Sequence, residues 1–141
     1  MDLKTYTLEK DIQIFYVEAD SFPRGISDAH QRLHNLLSDS GPRTFFGISR
    51  PGANGVIDYK AGSEEKFEGE GKLLHCKTML LKKGTYYSIY IKDYTKRMES
   101  ISEAFQIILA QRGLDHEGYC VEMYEGTEDV RCMVRQKDHS A

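Results

Sequence analysis

Two stretches of the 141-residue chain carry one hydrophobic pattern, and a chain that repeats itself is constrained to pack two like modules. Ile26, Ala29, Leu33, Leu36 and Leu37 fall on one face of a helix, and Met98, Ile101, Phe105, Ile108 and Leu109 show the same spacing 72 positions later. The flanks agree. Residues 11–17 and 84–91 are β-branched and aromatic in the manner of strands and precede the two helices. After the first helix, runs 43–49 and 55–61 surround residues 50–54, where Pro51-Gly52 and Asn54-Gly55 signal a hairpin turn. After the second, runs 119–124 and 129–134 surround 125–128.

The organisation is strand, helix, strand, strand, written twice in a single domain over residues 1–141. Repeat 1 covers about 8–62, a linker about 63–73, and repeat 2 about 74–135, with 74–81 as an added strand leading into the second copy. Gly41-Pro42 is expected to end the first helix, Asp93 or Thr95 to cap the second, and Gly113 to follow its last turn. Helices alternate with strands, yet the hairpins force antiparallel pairs, so the expected class is α+β. The linker is acidic and glycine-spaced, which suits a solvated connection.

Duplication has a physical consequence. One module has a helix on one sheet face and an apolar or aromatic second face, and two modules joined about a pseudo-twofold axis would place helices on one side and a concave groove on the other. Such grooves take small ligands. Along residues 119–124, Cys120, Glu122 and Tyr124 share one strand face and Tyr119, Val121 and Met123 the other. Assigning Val121 and Met123 beneath the helix leaves Glu122 and Tyr124 on the groove side. A carboxylate between apolar neighbours needs a reason, because burying an unpaired charge costs several kcal/mol. The bland alternatives are a solvent-facing Glu122, or one paired with Arg131 or Arg135 on the hairpin partner. By the same logic Tyr86, Ser88 and Tyr90 face the groove, with Tyr87, Ile89 and Ile91 under the helix, and Tyr59 and Phe46 join from the first hairpin.

The duplicated pattern, with Phe46-Gly47-Ile48, the turn Lys83-Gly84-Thr85-Tyr86 and above all Cys120-Val121-Glu122-Met123-Tyr124, resembles the GyrI-like small-molecule-binding domain, also called the bacterial transcription-activator effector-binding domain. The resemblance spans about residues 10–134, and its most specific element is the Val-Glu-x-Tyr strand. It implies two fused modules around a ligand groove, with Glu122 as the groove carboxylate that sensor members use for cationic aromatic drugs. Hydrolase members of the family, which open cyclopropane-type alkylating compounds, are expected to pair that acid with a tyrosine. Regulators of the family attach the domain to a helix-turn-helix, and nothing before Lys10 has that character. The chain also lacks Trp, so aromatic capture falls to its nine Tyr and six Phe.

Three functions follow for comparison. The first is a stand-alone module binding amphipathic, cationic aromatic molecules through Glu122, Tyr90, Tyr86, Tyr59, Phe46 and Tyr124. The second is a metal-independent hydrolase of strained electrophiles in which Glu122 and Tyr90 are the catalytic pair. The third is a protein-interaction role like that of the family's gyrase inhibitor, which a net charge of -3 does little to support.

Nineteen Lys and Arg against twenty-two Asp and Glu lack the positive field of a nucleic-acid binder, so the expected partner is a small molecule and direct nucleic-acid contact is not expected. No apolar run of about eighteen residues and no signal-peptide pattern occurs, so the chain is expected in the cytoplasm and off the membrane, and a monomer or weak homodimer is expected. Cys76, Cys120 and Cys132 lack paired metal or redox spacing and are expected as buried thiols. His30 and His34 stand four apart on a helix without a third ligand, and His75-Cys76 is isolated, so no metal is expected. Gly69-Glu70-Gly71-Lys72 sits in acidic surroundings that would repel phosphate, and no Gly-x-Ser-x-Gly occurs, so no cofactor or serine nucleophile is expected.

Overall fold

The computed structural model describes residues 1–37, 41–52 and 54–138, so Ala53, within the first expected hairpin turn, lies outside the described residues. The chain forms β1 (Lys4–Leu8), β2 (Ile12–Glu18), α1 (Ile26–Leu36), β3 (Phe45–Pro51), β4 (Ile57–Glu64), α2 (Glu70–Leu73), β5 (Lys77–Leu81), β6 (Gly84–Ile91), α3 (Glu99–Leu109), β7 (Cys120–Glu125) and β8 (Asp129–Arg135). All strand pairs are antiparallel, and the class is α+β. No helix among the described residues is long and apolar enough to cross a membrane.

Two compact units divide the chain, one of residues 1–10 and 82–141 and one of residues 11–81. In the first, β1 pairs with β6, β6 with β8 and β8 with β7, and α3 covers one face. Ala104 and Ile108 of α3 pack on Ile89, Val130, Cys132 and Val134, with Ile101 and Phe105 at the margin. In the second, β5 pairs with β2, β2 with β4 and β4 with β3, and Ala29 and Leu33 of α1 pack on Phe15, Tyr59 and Ala61. Each buried Leu, Ile, Val or Phe among these contributes about 1.5–3 kcal/mol, and each Ala less. Both units thus contain strand, helix, strand, strand in that order, β2-α1-β3-β4 and β6-α3-β7-β8.

Several local expectations differ from what forms. Ahead of repeat 1, Lys4-Thr5-Tyr6-Thr7-Leu8 forms an additional strand, β1, in keeping with its period-two alternation; it lies against β6 with Tyr6 opposite Tyr86. Met98 and Leu109 stand largely exposed rather than in the helix face, because α3 starts only at Glu99 and its buried stripe runs Ser100, Ala104, Ile108. Neither Asp93 nor Thr95 caps α3. Asp93 adopts a left-handed conformation (φ 51°) ahead of a 3-10 turn at Tyr94–Lys96, and α3 follows from Met98 without a side-chain cap. The added strand begins at Lys77 instead of residue 74, because Leu74 and His75 close the turn after α2, His75 with φ 59°.

The segment read as a solvated connection is structured over much of its length. Ser63 and Glu64 finish β4, and Glu70 is buried at the start of α2. Gly71 lets α2 sit against the sheet: a Cβ there would lie 2.6 Å from Phe15 Cβ and 2.9 Å from Thr78 Cγ2.

Candidate functional site

Glu122 lies mid-strand in β7, directly opposite Cys132 of β8, which in turn stands opposite Ile89 of β6. Directly opposed residues of an antiparallel pair share a face, and Cys132 and Ile89 belong to the α3 core. Glu122 therefore faces the α3 side, with Cys120 and Tyr124 packed beside it. This corrects the expectation that Val121 and Met123 lie beneath the helix: they align with Met133 and Arg131 on the opposite face. Alternation shows which residues go together but not which set meets the helix. Here it offers no second clue, because Val121, Glu122 and Met123 are all buried.

Glu122 is 9% exposed as a residue, and its carboxyl accepts a hydrogen bond from the Tyr124 hydroxyl to Oε1 at 2.5 Å. Among the described residues no cation stands within ion-pairing distance of it, so neither Arg131 nor Arg135 pairs with it; their carboxylate partners are Glu125, and Asp115 with Asp138. Burial pushes the carboxyl pKa up, and the Tyr124 bond offsets part of that rise. The Tyr94 ring lies 5.7 Å from that of Tyr124, tilted by 43°, and the Tyr94 phenol is raised by burial and by the Glu122 charge. Burial, then the same charge, raises Cys120 to about 11 and pushes Cys132 up as well, so both thiols stay protonated and unreactive at neutral pH.

The opposite sheet face of this unit holds Tyr86, Ser88 and Tyr90, as the alternation predicts, and there they meet a resident cation. Arg131 places its guanidinium 4.3 Å from the Tyr6 ring centroid and 5.1 Å from that of Tyr90, and its Nη1 donates to Ser88 Oγ at 2.9 Å. An aromatic pair already holding a guanidinium repels a second cation. The Tyr86 hydroxyl, nearly fully buried, donates to the Lys82 carbonyl. Tyr90 donates to Asp129 Oδ2 at 2.8 Å, which with burial raises its phenol to about 12. The proposed catalytic pair is thus not assembled. Tyr90 and Glu122 point to opposite sides of one sheet, and the tyrosine that reaches Glu122 is Tyr124.

In the other unit, Phe46 is fully buried on the face away from α1, aligned with Gly62. Tyr59, expected beside it, faces α1 instead. Its hydroxyl is hydrogen-bonded to His30 Nε2 at 2.8 Å, and its ring stands 6.1 Å from Phe22. His34 stacks on Phe45 at 4.3 Å. The i, i+4 histidines are thus ring partners for a tyrosine and a phenylalanine, and no cluster of three His, Cys, Asp or Glu with metal-binding geometry occurs among the described residues. Burial, then the neighbouring His34, lowers His30 to about 4. The unfolded chain takes up that proton near 6.5, so stability holds in full above pH 6.5 and falls as pH drops from there toward 4. After discounting for partial exposure, the loss at pH 4 is expected to be about 2 kcal/mol. Denaturant titrations of wild type and His30→Gln across this range measure it, and parallel pH profiles for the two proteins would refute the assignment.

A hollow of about 630 Å³ opens beside α2, lined by Gln13, Glu65, Phe67, Lys72 and Thr78 among others. None of the expected site residues borders it.

No family model matches the sequence, and no curated protein matches it. Among solved structures the chain is similar to SAV2435 bound to tetraphenylphosphonium, with a TM-score of 0.66 at 12% identity, covering 97% of this chain and 94% of that one. It is also similar to an integron cassette protein from the mobile metagenome of Vibrio cholerae, at TM-score 0.63 and 10% identity, covering 96% and 95%. A candidate bacterial transcription regulation protein from Staphylococcus aureus MU50 gives 0.58 at 12%, covering 96% and 99%. At such identities the likeness is one of fold, and it agrees with the fold that the GyrI-like resemblance implies.

Proposed function

We propose that the chain is a small-molecule-binding protein of the GyrI-like type that takes amphipathic organic cations on the α3 side of the sheet, with Glu122 as counter-charge and Tyr94 and Tyr124 as aromatic wall. One observation carries the reading: Glu122 is a buried carboxyl with a hydroxyl donor and, among the described residues, no cation. A buried acid of this kind raises the cost of the empty fold, and a bound cation removes that cost. The same logic sets aside the Tyr86 and Tyr90 face, where Arg131 already supplies the positive charge. The fold neighbour bound to tetraphenylphosphonium supports the choice of ligand class.

Tetraphenylphosphonium is the probe. Saturable binding is expected by calorimetry or by quenching of tyrosine fluorescence, and Glu122→Gln is expected to weaken it roughly 30-fold or more, the equivalent of about 2 kcal/mol for a desolvated cation-carboxylate contact. Equal affinity in the two proteins would remove the proposal.

A further inference from the structure

The two oxygens of Glu122 are not equivalent. Oε1 accepts the Tyr124 hydroxyl, and among the described residues no protein donor reaches Oε2, which is not one of the fully buried atoms left without a partner and so meets solvent. An ionised carboxylate has room for about four hydrogen bonds, and a ligand that covers Oε2 displaces its water and must replace that donor or leave it unmet at a cost. The groups around it do not meet that need. On β7 and β8 the neighbours are the Cys120 and Cys132 thiols, which are weak donors, and the 3-10 turn contributes the Tyr94 phenol, with no hydrogen bond to Glu122. From α3, Glu103 is engaged by Arg97 near the surface. A cation without hydrogens on its charged centre would balance the charge and leave Oε2 without a donor. A protonated amine or amidine would do both at once.

We infer that the Glu122 site selects aromatic cations that carry an N–H donor over quaternary cations of the same frame, the N–H donating to Oε2 while an aryl group lies along the Tyr94–Tyr124 wall. The inference rests on the cation-binding reading above and adds the class of cation. Ionised hydrogen bonds are short and about twice as strong as neutral ones, so the donor supplies discrimination that charge alone does not.

The test is calorimetry on the full chain at pH 7 with a matched pair, protonated dibenzylmethylamine and dibenzyldimethylammonium, against wild type and Glu122→Gln. The expected result is that the protonated amine binds about tenfold or more tightly than its quaternary partner in wild type, and that the preference collapses in Glu122→Gln. Equal affinities, or tighter binding of the quaternary ion, overturn this inference while leaving the cation-binding reading in place. A preference that persists in Glu122→Gln also overturns it, since the extra methyl group then acts by crowding alone. Failure of both ligands and of tetraphenylphosphonium to bind ends the inference together with the reading beneath it.

Discussion

Replacing Arg43 by Ala is expected to destabilise the protein by about 3–5 kcal/mol, the cost of leaving one member of a buried ion pair uncompensated. The Arg43 and Glu70 side chains are 3% and 9% exposed and meet in a two-point fork, Nη1 to Oε1 at 2.9 Å and Nη2 to Oε2 at 2.8 Å. Nη1 also donates to Ser63 Oγ and the Glu64 carbonyl, and Glu70 Oε1 accepts the Lys66 backbone N–H. The guanidinium lies 5.7 Å from the Phe15 ring centroid. The pair thus ties α2 and the segment before it to the end of β4. Without Arg43, Glu70 keeps the Lys66 backbone donor but loses the cation that balances its largely buried charge. The double replacement Arg43→Met with Glu70→Leu is expected to recover much of the loss, because two apolar side chains carry no desolvation penalty. Urea denaturation of the three proteins decides it. A loss below about 1 kcal/mol in the single variant would show the pair to be no stronger than a surface salt bridge.

That ion pair also marks where the sequence stops being legible. The helices and hairpins are readable because their signals are local: Ala29 with Leu33 and Ile101 with Phe105 and Ile108 repeat at helical spacing, although the fully buried stripe of α3 also takes Ala104, and Gly126 stands in its turn with φ 63°. Glu70 carries no local signal. In the run 63–72 it is one acid among several, and only the distant Arg43 distinguishes it from its solvated neighbours. Face assignment on β7 fails for a related reason. The strand is buried on both sides, so hydrophobicity does not choose between Val121 and Glu122, whereas β6 has Ile89 facing α3 as its aliphatic side predicts. The sequence singled out Glu122 as the residue needing an explanation. Its partner had to come from geometry, since Tyr124 is two positions along the same strand and Tyr90 points to the other side.

Glu122→Gln is expected to make the protein more stable at neutral pH while it abolishes most cation binding, opposite signs from one substitution. In the unfolded chain the carboxyl ionises near its ordinary 4.5, and in the folded chain burial holds it protonated to higher pH. The contribution of this group is therefore fully present below about pH 4.5 and is lost as pH rises through the raised folded value. A glutamine keeps an oxygen for the Tyr124 hydroxyl and never ionises, so variant and wild type should have similar stability at pH 4 and separate at pH 7.5, the variant ahead by roughly 1–3 kcal/mol. Saturating tetraphenylphosphonium should close that gap from the wild-type side, since it binds only the folded form and supplies the missing charge. Urea denaturation of both proteins at the two pH values, with and without the ligand, reads the gap and its closure. A variant no more stable than wild type at pH 7.5 would mean that the Glu122 charge is already compensated in the empty protein.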